Sequence, residues 1–433
     1  MKRVLIVVYY WPPSGGAGVQ RWVKLSKYLH QFGWEPVIFT PENPEAPLQD
    51  KGLLKEVREG MEVIKTPIWE PYSLYKRFTG KGSQEKISPG VLLENRNRSF
   101  TEKLSVWIRG NFFVPDARKF WVKPSVKFLH KYLEEHTIDA IVTSGPPHSM
   151  HLIALGLKQL RPIPWIADFR DPWTNIHYHD ELMLGPRAAQ KHQQLEQATL
   201  DTADHVVTAS YSMERDFVAQ GAQSVSTVTN GYDAADYANA APVLDEKFTL
   251  THIGTLYGSR SPEALWAALG SLIQSQPGFA EVFTLRLVGK TDPEVYAAIE
   301  QHGLTSYLDD RGYVSHHEVI DFQRQTQLLL LIFSEAERTI IPGKVFEYLA
   351  ARRPVLCIGS PEWDAPQILS KEEAGATFDF QNSEGIRAQL QQWFEAFQGG
   401  GLHPKEKDIS RYSRTELARK YAGLLDKVAT NKA

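Results

Sequence analysis

A lysine and a glutamate three residues apart follow a Pro-Gly pair in the segment TIIPGKVFEYLAARRPVLCIG. Pro342 and Gly343 would open a helix, and the free N–H groups and dipole at a helix start favour anions. Lys344 would face a diphosphate placed there. Glu347, one turn further on, could bind two vicinal hydroxyls of a ribose. The alternative is a surface ion pair between Lys344 and Glu347.

Two loops that follow strand-like runs also carry groups suited to phosphate. The loop HIGTLYGSRSPEAL contains Arg260, whose planar guanidinium matches phosphate oxygens. Near the N-terminus, WPPSGGAG contains Gly15 and Gly16, where backbone N–H groups could approach a phosphate or sugar with no Cβ between them. A solvated arginine and a purely structural turn are the alternatives, and the second loop lacks the GxGxxG spacing.

The first half of the chain offers titratable groups in SGPPHSMH and ADFRDPW, each after a strand-like run. They are His148, His151, Asp168, Arg170 and Asp171. Such groups could act in proton transfer or acceptor binding. The alternatives are a loop histidine bonded to the backbone and a structural salt-bridge cluster that caps a strand.

The elements that must position these residues alternate between β-branched apolar runs and segments of helical periodicity. The alternation stops at a loop rich in Ala, Asp and Asn near residues 233–245 and then starts afresh. The predicted fold class is therefore α/β, with two Rossmann-like, doubly wound parallel-sheet domains. We place them at residues 1–238 and 239–408. A C-terminal helix in 409–433 is expected to cross back to the first domain.

Composition indicates a soluble globular protein, with 433 residues, 42% hydrophobic and 23% charged. The longest aliphatic run, from Leu328 to Phe333, is far below the ~18 residues of a membrane span. Cys357 is the single cysteine, so an internal disulfide and a cysteine-built zinc site are excluded, and the cytoplasm is the expected compartment. Since no Asp-x-Asp pair ends a strand, we expect no metal site.

Residues 72–131, in a predicted insertion at about 70–131, carry 13 Lys and Arg against 4 Asp and Glu. Aromatic residues interleave with these charges: Tyr75, Phe78, Trp107, Phe112, Phe113, Phe120 and Trp121. This mixture favours contact with an anionic membrane surface. The alternative is a solvated insertion that packs some aromatics inward. No recognition module supports binding of nucleic acid.

Together these motifs resemble the family-four retaining glycosyltransferases of GT-B fold, over nearly the whole length. The carriers are PPSGGAGVQR, TNGYD, HIGTLYGSR, LRLVGK, RGYVSHHEV and GKVFEYLAARRPVL. The resemblance implies that Gly15 and Gly16 approach the donor phosphate or transferred sugar and that Arg260 and Lys344, beside Gly343, neutralise the diphosphate. Glu347 would then bind the nucleotide ribose.

The chain departs from that family at Thr339, where a glutamate that touches the transferred sugar is usual. Glu335 or Glu337 from the same loop could substitute for it. Relatives often carry a histidine after the strand that corresponds to IVTS, whereas here His148 is slightly displaced from that place. His148 and Asp168 are the catalytic candidates, and His151, Arg170 and Asp171 are the acceptor-side candidates.

The resemblance implies transfer of a hexose-type sugar from a nucleotide sugar, with retention, to a saccharide or lipid-linked acceptor in cell-surface polysaccharide or glycoconjugate synthesis. No metal or cofactor is implied, because two cations and a helix dipole can stabilise the leaving nucleoside diphosphate. A leaving phosphate oxygen would take the acceptor proton, so no protein base is required. The two domains should face a central cleft, with residues 72–131 at the inner face of the membrane. The rivals are a nucleotide-sugar epimerase of the same fold and a degenerate sugar-nucleotide-binding subunit, the latter motivated by Thr339.

Overall fold

The structure, a computed structural model, describes residues 1–46, 48–70, 100–175, 182–239, 243–402 and 407–430. It divides into two compact units: unit 1 comprises Met1–Thr229 and Arg414–Ala433, and unit 2 comprises Asn230–Ser413. The sequence places residues 230–238 and 409–413 outside the second domain, whereas the structure places both in unit 2. The reason is that the Tyr232 N–H donates to the Tyr412 carbonyl at 3.2 Å.

Unit 1 is built on a seven-stranded parallel sheet in the order β3-β2-β1-β4-β5-β6-β7. Its order reverses beside β1, where Val4 pairs with Pro36 on one side and Ala140 on the other. The strands are β1 (Lys2–Val7), β2 (Trp34–Pro41), β3 (Glu62–Thr66), β4 (Ala140–Gly145), β5 (Trp165–Phe169), β6 (His205–Thr208) and β7 (Val225–Thr227).

Helices cover both faces of this sheet, because β1, β4 and β5 are apolar on both sides and need cover on each. With labels in chain order, the described helices of unit 1 are α1 (Ala17–Leu29), α2 (Phe100–Phe112), α3 (Lys119–Glu135), α4 (Ser149–Leu160), α5 (Pro186–Thr202), α6 (Tyr211–Ala219) and α14 (Arg414–Thr430).

Unit 2 repeats the architecture with six parallel strands in the order β10-β9-β8-β11-β12-β13. The strands are β8 (Phe248–Ile253), β9 (Phe283–Val288), β10 (Leu308–Gly312), β11 (Leu328–Ile332), β12 (Val355–Ile358) and β13 (Gly375–Phe378). The helices are α7 (Glu263–Ser275), α8 (Phe279–Val282), α9 (Pro293–Gln301), α10 (His316–Gln325), α11 (Gly343–Ala351), α12 (Asp364–Lys371) and α13 (Ser383–Gln398). The predicted fold class of two Rossmann-like, parallel-sheet domains is confirmed. Within the described ranges, no helix is long and apolar enough to cross a membrane.

The C-terminal helix α14 packs on α1 within unit 1. The Tyr421 ring lies edge-on to Trp22, with 5.2 Å between ring centroids, and both side chains are fully buried. Among the described residues, the Tyr421 hydroxyl has no hydrogen-bond partner. The ring therefore stabilises this contact, whereas the hydroxyl does not.

We predict that Tyr421→Ala lowers the free energy of unfolding of unit 1 by about 3–5 kcal/mol, because it leaves an aromatic-sized cavity. Tyr421→Phe is the matched control and should be neutral or stabilising, since it removes a buried hydroxyl that makes no hydrogen bond. Urea unfolding followed by tryptophan fluorescence measures both. A cost in Tyr421→Ala below about 1 kcal/mol would contradict this assignment of α14 to the core.

Candidate functional site

The carboxyl edge of the unit 2 sheet is opened by two glycines at neighbouring strand ends. Gly254 follows β8 with φ +120°, and Gly289 follows β9 with φ +125°. A Cβ on Gly289 would stand 2.5 Å from the Gly254 carbonyl oxygen, so the two backbones touch. Both positions require glycine, through positive φ and close approach.

Lys344 at the start of α11 lies directly on this glycine edge. A Cβ added to Gly254 would stand 2.5 Å from Lys344 Nζ, so the missing side chain is what makes room for the ammonium. Burial lowers the pKa of Lys344, and Arg260 acts in the same direction, whereas Glu347 and Glu337 oppose the shift. Since an anion would offset the desolvation of this ammonium, the position suits a phosphate.

Arg260 provides a second cation in the same unit, at the end of a one-turn helix over Gly258–Arg260. Its guanidinium lies 5.2 Å from the centroid of the Tyr257 ring. Arg260 Nη1 is 3.1 Å from Glu337 Oε1. Of the two predicted substitutes for Thr339, Glu337 is thus paired with the cation, whereas Glu335 pairs with Arg338 on the surface.

Glu347 is held in place by a hydrogen-bond chain. Gln323 Nε2 donates to Glu347 Oε2 at 3.2 Å, and the Tyr237 hydroxyl donates to Gln323 Oε1 at 2.6 Å. Gln323 is fully buried, so its hydrogen bond fixes the orientation of the Glu347 carboxylate. Glu347 Oε1 lies 3.9 Å from the position of a Cβ on Gly343, which brings the carboxylate near the start of α11.

His252, one residue before the end of β8, was not among the predicted site residues. Burial lowers its pKa to about 3, and the charges of Lys344 and Arg260 contribute to the shift. His252 Nδ1 is 3.3 Å from the Leu330 carbonyl oxygen. The imidazole, which interacts with these two cations, is therefore neutral at pH 7. Its position in the THIGTL segment, two residues before Gly254, is the sequence feature that could have indicated a site residue.

In unit 1, Asp168 is a buried anchor. Its carboxylate accepts hydrogen bonds from Arg21 Nη2 at 2.7 Å and Arg21 Nε at 3.2 Å, from Trp22 Nε1 at 3.0 Å and from Ser144 Oγ at 2.7 Å. Burial alone would raise the pKa of Asp168, but Arg21 and these donors hold it below its usual range. The Asp168 carboxylate has 0% exposure and both of its oxygens are hydrogen-bonded, which matches a structural role, and its catalytic role stays a prediction.

The Arg170 side chain, which follows β5, packs against the first turn of α1. A Cβ added to Gly18 would stand 1.9 Å from Arg170 Nη1, and the guanidinium also donates to the carbonyls of Gly145 and Pro146. Burial raises the pKa of Asp171, against the effect of Arg170. A side chain at Gly18, in the first turn of α1, would therefore displace the Arg170 guanidinium.

The two predicted glycines of this loop serve the backbone. Gly16 adopts φ +102° before α1, a conformation that favours glycine. The Gly15 N–H donates to the Leu48 carbonyl at 3.0 Å, and a Cβ on Gly15 would stand 3.1 Å from Asp50 Cβ. Gly15 thus packs against a neighbouring segment, and its predicted approach to a donor stays a prediction.

His148 and His151 lie inside unit 1 at the start of α4. The His151 ring stacks on Phe169 with 4.3 Å between centroids, and its Nδ1 is hydrogen-bonded to Thr143 Oγ1 at 2.8 Å. The His148 ring stacks on Trp173 at 4.7 Å. Burial lowers the pKa of His151 to about 3, so this histidine is neutral at pH 7. Both rings are buried, which matches a packing role.

The basic, aromatic segment is partly described: residues 71–99 lie outside the described residues. Trp121 in α3 faces inward and stacks on Phe39 with 4.9 Å between centroids, so part of the predicted insertion belongs to the core. By contrast, α2 exposes an apolar stripe at helical spacing, formed by Leu104, Trp107, Ile108 and Phe112. In the described part of the chain, no group of three or more His, Cys, Asp or Glu could hold a metal ion.

Two doubly wound parallel-sheet units are the architecture of a GT-B protein. A sequence model of the glycosyl transferase 4-like domain matches residues 15–232, half of the chain. The chain belongs to this glycosyl transferase 4-like family and is a glycosyltransferase of GT-B type. The predicted family is thereby confirmed, while retention stays a prediction.

Solved structures share this fold at low sequence identity. The lipopolysaccharide outer core galactosyltransferase WaaB has a TM-score of 0.57 at 15% identity, covering 99% of this chain and 100% of that one. The α,α-trehalose 6-phosphate synthase of Burkholderia multivorans has 0.57 at 13%, covering 100% of both. The sucrose-phosphate synthase of Thermosynechococcus elongatus has 0.55 at 13%, covering 100% and 97%. Comparison with curated protein sequences gives no match.

The buried, neutral His151 predicts how stability depends on pH. Unfolded histidine takes up a proton near pH 6.5 and folded His151 only near pH 3. The free energy of unfolding should therefore fall as pH drops from 6.5 toward 3, by up to ~1.4 kcal/mol per pH unit from this group. His151→Phe should show a shallower slope between pH 6 and 4 in urea unfolding. The exposed His317 serves as control, and equal slopes in His151→Phe and His317→Gln would refute the assignment.

Proposed function

We propose that the carboxyl edge of the unit 2 sheet binds a nucleoside-diphosphate sugar and that the protein transfers this sugar to an acceptor. The observation that carries the proposal is the position of Lys344, whose ammonium lies on the Gly254 backbone at the start of α11. Arg260 adds a second cation that interacts electrostatically with the ammonium. A lysine at a helix start together with an arginine that interacts with it suits a diphosphate.

The same groups account for catalysis. Negative charge grows on the diphosphate as its bond to the anomeric carbon breaks, and Lys344, Arg260 and the N–H groups at the start of α11 stabilise that charge. Glu347, which Gln323 holds in place, accepts hydrogen bonds from the ribose hydroxyls. Binding energy at the nucleotide thus positions the reacting bond.

The proposed reaction retains the anomeric configuration of a hexose-type sugar. The acceptor hydroxyl attacks on the face from which the diphosphate leaves, and a leaving phosphate oxygen takes its proton. The burial of His148 and Asp168, the two catalytic candidates, supports a mechanism without a protein base. No metal ion or cofactor takes part. The acceptor is a saccharide or lipid-linked saccharide, bound near Arg170 and Asp171, in cell-surface polysaccharide or glycoconjugate synthesis.

Removal of the Lys344 charge should weaken nucleotide binding at this edge. In wild type, one nucleoside diphosphate and the nucleotide sugars that contain it should each raise the melting temperature. Addition of magnesium should not change the size of either rise. At a ligand concentration 100 times Kd the stabilisation is about 2.7 kcal/mol. Lys344→Ala and Arg260→Ala should each weaken binding at least tenfold, or about 1.4 kcal/mol, because each removes a phosphate partner.

Lys371→Ala, an exposed lysine of α12, is the control and should bind as wild type does. Unchanged nucleotide affinity in both Lys344→Ala and Arg260→Ala would place the donor site elsewhere. The absence of any nucleotide-induced shift in wild type would contradict the proposed donor site, whereas nucleotide binding with no sugar transfer to any acceptor would favour the degenerate-subunit alternative. Conversion of a nucleotide sugar alone, with no faster nucleotide release on addition of acceptor, would favour the epimerase.

The exposed stripe of α2 supports attachment to the inner face of an anionic membrane. Trp107 and Phe112 form an edge-on aromatic pair there, with 5.8 Å between centroids, and the Phe112 side chain is 61% exposed. Exposed lysines accompany the stripe on α2 and α3: Lys103, Lys123 and Lys127. Exposed aromatics beside cations are typical of surfaces that enter the headgroup region.

Trp107→Ser combined with Phe112→Ser should weaken binding to phosphatidylglycerol-containing vesicles at least tenfold, since burial of one large apolar side chain contributes about 1.5–3 kcal/mol. Co-sedimentation measures this, with phosphatidylcholine vesicles and high salt as comparisons. Tyr313→Ser, which removes an exposed aromatic of unit 2, is the control. Equal binding by the double variant and wild type would exclude the stripe as the membrane contact.

A further inference from the structure

Glu337 holds a fixed negative charge within the proposed phosphate clamp. Its Oε2 accepts hydrogen bonds from the Ser334 N–H at 3.0 Å and from Ser334 Oγ at 3.2 Å. Its Oε1 stands 3.1 Å from Arg260 Nη1, and the side chain is only 21% exposed. The one-turn helix over Glu335–Glu337 therefore presents this carboxylate to Arg260 in a defined orientation.

The charge of Glu337 also acts on the second cation of the clamp, since its carboxylate opposes the lowering of the Lys344 pKa. Glu335, two residues earlier in the same turn, is 74% exposed and lies 3.5 Å from Arg338. The loop therefore carries two carboxylates of the same chemistry, of which one faces the clamp and one faces solvent. This pair provides its own matched control.

A carboxylate beside a phosphate site discriminates between phosphates by charge. The terminal phosphate of a free nucleoside diphosphate has two ionisable oxygens and carries about −1.5 to −2 at pH 7. When a sugar esterifies that phosphate, one charge is lost and hydroxyl donors are gained. Glu337 therefore repels the free diphosphate more strongly than the sugar-esterified one. The Glu337 oxygens can also accept hydrogen bonds from the sugar hydroxyls.

We propose that Glu337 is a donor-selectivity residue, which makes the clamp of Arg260 and Lys344 prefer a sugar-esterified diphosphate to the free nucleoside diphosphate. The proposal rests on the proposed function of this edge. It gives the protein a means to release its product, because cleavage of the sugar converts a favoured ligand into a disfavoured one at the same cations. Thr339, a neutral residue, lacks the charge for this role.

The test compares Kd values for UDP-glucose with UDP, and for GDP-mannose with GDP, by calorimetry in wild type, E337Q, E337D and E335Q. For the pair that binds, the ratio of the diphosphate Kd to the sugar-nucleotide Kd should fall about tenfold in E337Q, equivalent to about 1.4 kcal/mol. E335Q should keep the wild-type ratio, and E337D, which keeps the charge, should restore most of it. A ratio in E337Q within twofold of wild type would overturn the proposal.

A second measurement needs no variant. Between pH 6 and 8 the terminal phosphate of the free diphosphate loses its second proton. If Glu337 governs selectivity, wild type should bind the free diphosphate more weakly relative to the sugar nucleotide as pH rises. If the cations govern it, relative binding of the free diphosphate should strengthen, which would overturn the proposal. Failure of wild type to bind either ligand would instead contradict the proposed function.

Discussion

In both units a cationic side chain lies directly on the backbone of a glycine. Arg170 Nη1 lies against Gly18 at the start of α1, and Lys344 Nζ lies against Gly254 after β8. A methyl group at either glycine would displace the charge. Because a parallel sheet directs its strand ends and helix starts to one edge, these contacts concentrate positive charge where N–H groups already favour anions.

The two units use buried charge differently. In unit 1, Asp168 is saturated by Arg21, Trp22 and Ser144, so it ties α1 to β4 and β5. Loss of one partner from such a buried pair typically costs about 3–5 kcal/mol, because the other charge stays desolvated. In unit 2, neighbouring carboxylates offset only part of the cost of burying the Lys344 charge. Unit 1 therefore holds a structural pair, while unit 2 holds the charge available to a ligand.

The sequence predicted what depends on local pattern, and long-range pairing decided the rest. Alternating apolar runs predicted both parallel sheets, and the PGK segment predicted a cation at a helix start. The sequence could not show that Asp168 meets Arg21, which lies 147 residues away. Nor could it show toward which side of a helical turn each side chain points. That difference places Glu337 against Arg260 and Glu335 in solvent. It also places Trp121 in the core and its neighbour Phe120 on the surface.

Amide hydrogen exchange with and without a saturating nucleotide sugar tests most directly whether the donor binds at the edge of the unit 2 sheet. Bound diphosphate should slow exchange in peptides that cover residues 254–260 and 340–347, because its oxygens would accept hydrogen bonds from N–H groups at the start of α11. Peptides of α12 (Asp364–Lys371) should exchange as before. Slower exchange confined to unit 1, or none in either peptide at saturation, would contradict the account.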